Sequence, residues 1–432
     1  MVRGARLLIP FVVISRLAFL VMKRAVYNVG CRDYRDSIPM ERPSPMLAKP
    51  QPFTLHVSDS DIDDLNARLA NTRFPDQAPD APWAYGTDLG YLRGLVEHWR
   101  TRFDWRAWEN RLNSFPQFKV PLHGIDVHYL HVPGVGPDPK PLLLLHGWPG
   151  SVFEFLEIIP WLSDPARFGG DATDAFTVIA PSLPGYGLSF HPNQKRFSIP
   201  QIADCVADLM TIVLGHERFA AQGGDWGAFT CSNLGVHHAD KLAGIHLNML
   251  SLRPDQPLPP NPTPEELRYA EEIKLWAKEE TGYIQIQGTR PQTLAYGLTD
   301  SPTGLAAWIV EKFHAWTDHA GDFETAVARD HLLANISLYW FTGAIGSSFW
   351  PYYDRLHGPW PIPDGRTVDV PTGYAAFPKE IRRPPRSIAE KTYTDIRQWT
   401  VMPKGGHFAA MEQPEALARD VQSFFRPLRS NF

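Results

Sequence analysis

From about residue 53 the polar and apolar positions of the chain fall into two alternating rhythms. DSDIDDLNARLANTRF, residues 59–74, opens on Asp and Ser cap candidates and sets Ile62, Leu65 and Leu69 at helical spacing. Residues 88–116 predict a second helical region, with Leu92, Leu95, Val96 and Trp99 on one face as packing residues. IDVHYLHV (125–132) alternates like a strand. Short continuous apolar runs follow, PLLLLH at 141–146, FTVIAPS at 176–182, ERFAAQGG at 217–224 and LAGIHLNM at 242–249, separated by helical patterns. Such runs read as strands buried on both faces, so their alternation with helices predicts a mostly parallel central sheet covered on both sides, an α/β fold.

After Leu250 the rhythm changes. RPDQPLPPNPTP is a proline-rich exit, and Thr263-Pro264-Glu265-Glu266 forms a capping box ahead of Leu267, Ala270, Ile273 and Ala277 at helical spacing. A helical section rich in Trp and Tyr runs to about Trp360. Strand character then returns in TVDVPTGYAAF (367–377) and RQWTVMP (397–403), and a last helix starts near Pro414. The sheet is therefore interrupted by a helical insertion, expected as a cap over the carboxyl ends of the strands, where open α/β sheets bind ligands.

The N-terminus follows neither rhythm. Leu7–Met22 is almost wholly apolar, flanked by Arg3, Arg6, Lys23 and Arg24 and interrupted by Pro10 and Arg16. It approaches the lower limit of about 17 residues for a spanning helix and reads as a membrane anchor or an interfacial helix, with an Arg-rich targeting peptide or a tail without effect on the fold as the rivals. Pro39, Pro43, Pro45, Pro50 and Pro52 make the next segment an extended linker. The predicted organisation is thus an anchor or targeting segment at 1–32, a linker at 33–52, an N-terminal domain at 53–135, the first part of the α/β core at 136–250, the cap at 251–362 and the second part of the core at 363–432.

Composition narrows the function classes. The 432 residues are 44% hydrophobic and 21% charged, as in a globular protein. A net charge of −5 gives no basic footprint for nucleic acid. Cys31, Cys205 and Cys231 are odd in number and far apart, which argues against a disulfide framework and a C-x-x-C metal site and favours an intracellular setting. No metal or organic cofactor is implied, and nothing in the chain specifies an oligomeric state.

The chemistry centres on AAQGGDWGAFT (220–230). An aspartate between Gly223 and Gly227, just after a strand run, fits a nucleophile elbow whose usual apex is serine; no G-x-S-x-G occurs in the chain. The alternative is a tight turn in which Asp225 merely caps the next helix. In an α/β-hydrolase the acid and then the histidine follow the nucleophile at later strand ends. Here Glu380 and His407, in PKE and KGGHF, occur in that order. HGWP at 146–149 follows a buried strand, so the backbone N–H groups of Trp148 and Trp226 are the candidate oxyanion hole, with His146 steadying the loop. An ether left on serine would resist water, whereas an ester on aspartate is hydrolysable. An aspartate nucleophile therefore selects substrates with a saturated electrophilic carbon, chiefly epoxides and alkyl halides.

With these motifs, and with WAYGTDLGYLRGLVEHWRTRFDWRAWENRLNSFPQFKV, PSLPGYGLS, TGYIQIQGTRP, DSPTGLAAWIVEKF and PTGYAAFPKE, the chain resembles the microsomal-type epoxide hydrolases from about Phe53 to its C-terminus. The resemblance implies Asp225 as nucleophile, His407 as water-activating base and Glu380 as its charge partner. It also implies two phenols that activate the epoxide, Tyr283 and then Tyr352 or its neighbour Tyr353, with Tyr352 favoured by register. The expected partners are a small-molecule epoxide and water, and the expected setting is the cytoplasm or the endoplasmic reticulum membrane. A haloalkane dehalogenase, with Trp226 helping to bind halide, is the alternative enzyme. A binding protein that kept the fold without activity is the third class.

Overall fold

The computed structural model describes residues 49–432 apart from Asp80, Pro254 and Asp255. The apolar segment Leu7–Met22 and the boundary at residue 32 lie outside the described residues. Nine strands form one sheet: β1 (Gln51–Pro52), β2 (Gln117–Leu122), β3 (Ile125–Val132), β4 (Lys140–Leu145), β5 (Phe176–Pro181), β6 (Phe219–Gly223), β7 (Leu242–Leu247), β8 (Thr372–Ala376) and β9 (Ile396–Val401). Their order is β1-β2-β3-β5-β4-β6-β7-β8-β9. Pairing is antiparallel from β1 through β3 to β5 and parallel from β5 onward. The four continuous apolar runs supply β4 to β7, and Leu142–Leu145, Val178, Ile179, Ala220 and Ile245 are fully buried, as two-sided coverage requires.

The segment read as the N-terminal domain contributes β2 and β3 to this same sheet, because a strand alternating like IDVHYLHV buries its apolar positions only beside a neighbour. Gln51 and Pro52, read as the end of the linker, instead pair with Lys119 and Phe118 as an edge strand, where a proline can leave no ladder bond unmade. The predicted N-terminal helices form at Asp59–Ala70, Leu89–Thr101 and Trp105–Asn113, with Ser58, Asp88 and Asp104 side chains accepting the first-turn N–H bonds. Leu92, Leu95, Val96 and Trp99 face the core as expected.

Between β7 and β8 the chain leaves the sheet and builds the helical insertion, from Pro264–Glu279 to Trp350–His357. The Thr263 capping box forms as its residues imply. The apolar positions on that helix do not become a core face: Leu267 is 49% exposed, and Glu266 is the helix's only buried residue. Helical spacing decides which side chains share a face; here Tyr269 packs against the core, and Ser387 donates to Glu266 and Arg383 to Glu272 beside it. Among the described residues no helix is long and apolar enough to cross a membrane.

Candidate active site

Strands β4, β6, β8 and β9 run parallel, so the loops leaving them emerge at one edge of the sheet, beside the point where the order reverses around β4. Each contributes one part of a single site. At the end of β6 the chain turns sharply into the helix Asp225–His237, and Asp225 takes a φ of +46°, a left-handed conformation held by its surroundings. The small residues flanking it now have a mechanical reason. A Cβ on Gly223 would press on the Gly227 backbone, and one on Gly227 would overlap the Leu145 carbonyl. The turn can close only with glycine at both places.

The carboxylate of Asp225 rests against the loop after β4. Trp148 N–H donates to its Oδ1 at 2.8 Å, and Gly147 leaves the space that a Cβ would take from the carboxylate. The Trp226 N–H lies in the first turn of the helix, where no preceding carbonyl of the helix is available to it. His146 is buried beneath this loop. Its Nε2 accepts from Leu183 N–H at 3.1 Å while Nδ1 lies 3.1 Å from Gly147 O, and burial pushes its pKa down to about 4, which keeps it neutral. Tyr186 of PSLPGYGLS donates to Ser348 O from the core, a structural role.

His407 faces the other side of the carboxylate. Its Nε2 is 3.5 Å from Asp225 Oδ2 and its Nδ1 is 2.7 Å from Glu380 Oε1, with histidine and glutamate both buried. Burial disfavours charge on the imidazole, but the Glu380 and Asp225 carboxylates outweigh it and hold the pKa well above the ordinary histidine value. The paired glycines of KGGHF are required here: Gly405 has a φ of +113°, and a Cβ on Gly406 would overlap the Trp316 carbonyl. That carbonyl also accepts the His407 N–H at 2.8 Å, fastening the base loop to the insertion.

Across from Asp225 the insertion brings in Tyr283 and Tyr352, whose rings meet edge to face 5.7 Å apart. Both line one apolar pocket with Asp225, Trp226, Phe229 and Trp276. Burial first, and the Asp225 charge second, raise both phenols well above their ordinary pKa, so they stay O–H donors. Tyr353 points elsewhere, its ring stacked on Trp350 and His357.

Two carboxyls at the site were not singled out from the sequence. Glu412 accepts N–H bonds from Asp318, Gly406 and Phe408, all at 3.0 Å or less, which locks the base loop; burial nonetheless lifts its pKa to about 7. Glu154 lies on the short turn Val152–Phe155 and lines a small chamber with Asp225 and His407. Its pKa rises to about 8, chiefly through burial, with His407 opposing and Asp225 adding to the rise. The available signal for Glu154 was an acid set among Val152, Phe153 and Phe155, three residues that all turn inward.

Comparison with known proteins agrees with this architecture. The family model described as epoxide hydrolase N terminus matches residues 50–155, and the alpha/beta hydrolase fold model matches residues 140–283. A Stigmatella aurantiaca relative is 44% identical over 379 residues, 88% of this chain and 85% of its own. Epoxide hydrolase 1 of Oryctolagus cuniculus is 39% identical over 401 residues, 87% of this chain and 88% of that protein. The solved Aspergillus niger epoxide hydrolase superposes with a TM-score of 0.77 at 31% identity, covering 88% of this chain and 97% of that one. The chain belongs to the microsomal-type epoxide hydrolases of the α/β-hydrolase superfamily.

Proposed function

We propose that this protein converts an apolar epoxide and water to a vicinal diol through an ester on Asp225. The observation that carries the reading is the position of that carboxylate between two neutral phenols on one side and the His407–Glu380 pair on the other. In the first step an Asp225 oxygen attacks one oxirane carbon from behind, and Tyr283 and Tyr352 donate hydrogen bonds to the ring oxygen as its charge develops. The C–O bond of the ring breaks and a hydroxyalkyl ester forms. The proton count closes: ring opening consumes one proton, and neutralising Asp225 removes one of the two carboxylates that kept His407 protonated.

His407, now a base oriented by Glu380, takes a proton from water, whose oxygen attacks the ester carbonyl carbon. The Trp148 and Trp226 N–H groups stabilise the resulting oxyanion. Collapse releases the diol, protonated by His407, and the acid proton left on Asp225 then passes to His407, restoring the carboxylate and the imidazolium. Trp226, Phe229, Met249, Trp276, Ile284 and Ile381 make most of the pocket wall apolar, with Arg355 and Arg382 also lining it, which suits a largely apolar substrate. Haloalkane dehalogenation is not favoured: a departing halide has no use for two phenolic donors, and the named relatives at 31% and 39% identity are epoxide hydrolases.

The test is a single turnover in ¹⁸O-water. Diol from the first cycle should carry unlabelled oxygen from Asp225; label in that first diol would mean direct attack by water. We further propose that Leu7–Met22 holds the enzyme at a membrane surface. Co-sedimentation of the full chain with lipid vesicles, lost on deleting residues 1–32, is the expected result.

A further inference from the structure

Two cavities meet at Asp225, and it is the one residue that lines both. The first is the apolar pocket of the phenols. The second lies on the side toward the sheet, bounded by Gly147, Glu154, Gln222, Asn248 and His407, and encloses about 20 Å³. That volume holds one water and nothing larger. We propose that Glu154 binds the water that hydrolyses the Asp225 ester, so that the two half-reactions approach the same carboxyl from opposite chambers.

This inference rests on the ester reading above and adds a residue to it. Glu154 lies deep in the molecule yet keeps part of its surface open, and the cavity it lines is this chamber. Among the described residues no hydrogen bond ends on its carboxyl, an arrangement that is unfavourable for a buried polar group unless a small partner enters. Its placement is enforced. The Ser151 side chain accepts the Phe153 N–H and starts the turn, while Phe153 and Phe155 anchor it in the core on either side of Glu154. Gly150 makes the room, since a Cβ there would overlap Glu154 Oε1.

A water in the chamber can bond to Glu154 and to His407 Nε2 at once, two of the two to four partners a buried water needs, with the Asp225 carboxyl carbon before its free lone pair. One hydrogen of that water passes to His407 as its oxygen bonds to the carboxyl carbon. The bond from that carbon to the alkyl oxygen then breaks, and the leaving alkoxide takes the proton back from His407. The second hydrogen, bonded to Glu154 until then, is left on the Asp225 carboxyl and passes to His407, which restores the carboxylate and the imidazolium and leaves Glu154 unchanged.

The experiment separates the half-reactions in the full-length enzyme by stopped-flow tryptophan fluorescence with styrene oxide, using Trp148 and Trp226 beside Asp225 as reporters, and by mass detection of the ester. In Glu154→Gln and Glu154→Asp, ester formation should stay within about twofold of wild type while ester hydrolysis slows about tenfold or more, so that the adduct accumulates and kcat and KM fall together. Gly150→Ala, which pushes the carboxyl aside without removing it, should act in the same direction and serves if either Glu154 variant does not fold. Hydrolysis within twofold of wild type in the folded variants overturns the proposal, and so does equal slowing of both half-reactions, which a merely structural glutamate would produce. Absence of any ester in wild type would instead remove the Asp225 reading, and this inference with it.

Discussion

The strand-end loops and the helical insertion build one pocket by opposite means. On the sheet side every functional group is held by backbone with almost no freedom: Gly223, Gly227, Gly147 and Gly406 each sit where a single added carbon would strike a carbonyl, the nucleophile or its turn. The helix Asp225–His237 that follows the nucleophile is buried on nearly all sides. On the insertion side the helix Pro264–Glu279 keeps Leu275 62% exposed, yet it sends Trp276 into the pocket. The groups proposed for the covalent steps, which demand sub-ångström placement, sit on the packed side. The phenols proposed to bond the leaving oxygen sit on the side with the looser packing.

The comparison breaks first at the nucleophile. Asp225→Asn should lower diol formation at least about 10⁴-fold without accumulating an intermediate, because Asp225 is the carboxylate that lines the pocket of the phenols; a milder loss would mean that water attacks the epoxide directly. His407→Gln should reduce turnover about 10²- to 10⁴-fold while leaving an ester adduct detectable by mass. The same step carries a pH signature. His407 must be neutral to accept a proton, so hydrolysis falls as pH drops through its pKa. Glu380→Gln removes a carboxylate that raises this pKa and should move the acidic limb to lower pH.

On the insertion side the expected effects are smaller. Tyr352→Phe should slow ester formation about 10- to 100-fold, since one of two donors to the ring oxygen is lost, whereas Tyr353→Phe should stay within about twofold. Equal effects of the two substitutions would overturn the distinction between their surroundings. Stability sharpens the contrast last: Gly227→Ala should cost about 2 kcal/mol or more in chemical denaturation, and Leu275→Gln no more than about 0.5 kcal/mol.

How much of this was legible along the chain follows the same division. Asp225, Glu380 and His407 could be read because each follows an apolar strand run, and a parallel sheet gathers such strand ends at one edge. Tyr352 and Tyr353 could not be told apart locally. Neighbours on a helix point about 100° apart, and only the packing of Trp350–His357 decides which one meets Asp225. Glu154 was missed because one acid beside apolar residues reads as the wet face of a short helix; the chamber that gives it meaning is assembled from residues near 147, 222, 248 and 407. The capping box at Thr263 is legible because a cap is a local bond, whereas how much of the helix it starts is covered depends on distant residues.

The amino-acid order alone determined the α/β alternation, the elbow with its aspartate, the order of acid and base, and the capping signals, because each depends on residues within a few positions of one another. The tertiary structure decided that Asp225 lines two cavities, which of two adjacent tyrosines shares a pocket with it, and the pairing of the N-terminal region's strands into the sheet. Those features depend on which distant surfaces exclude water together, and no local spacing encodes that.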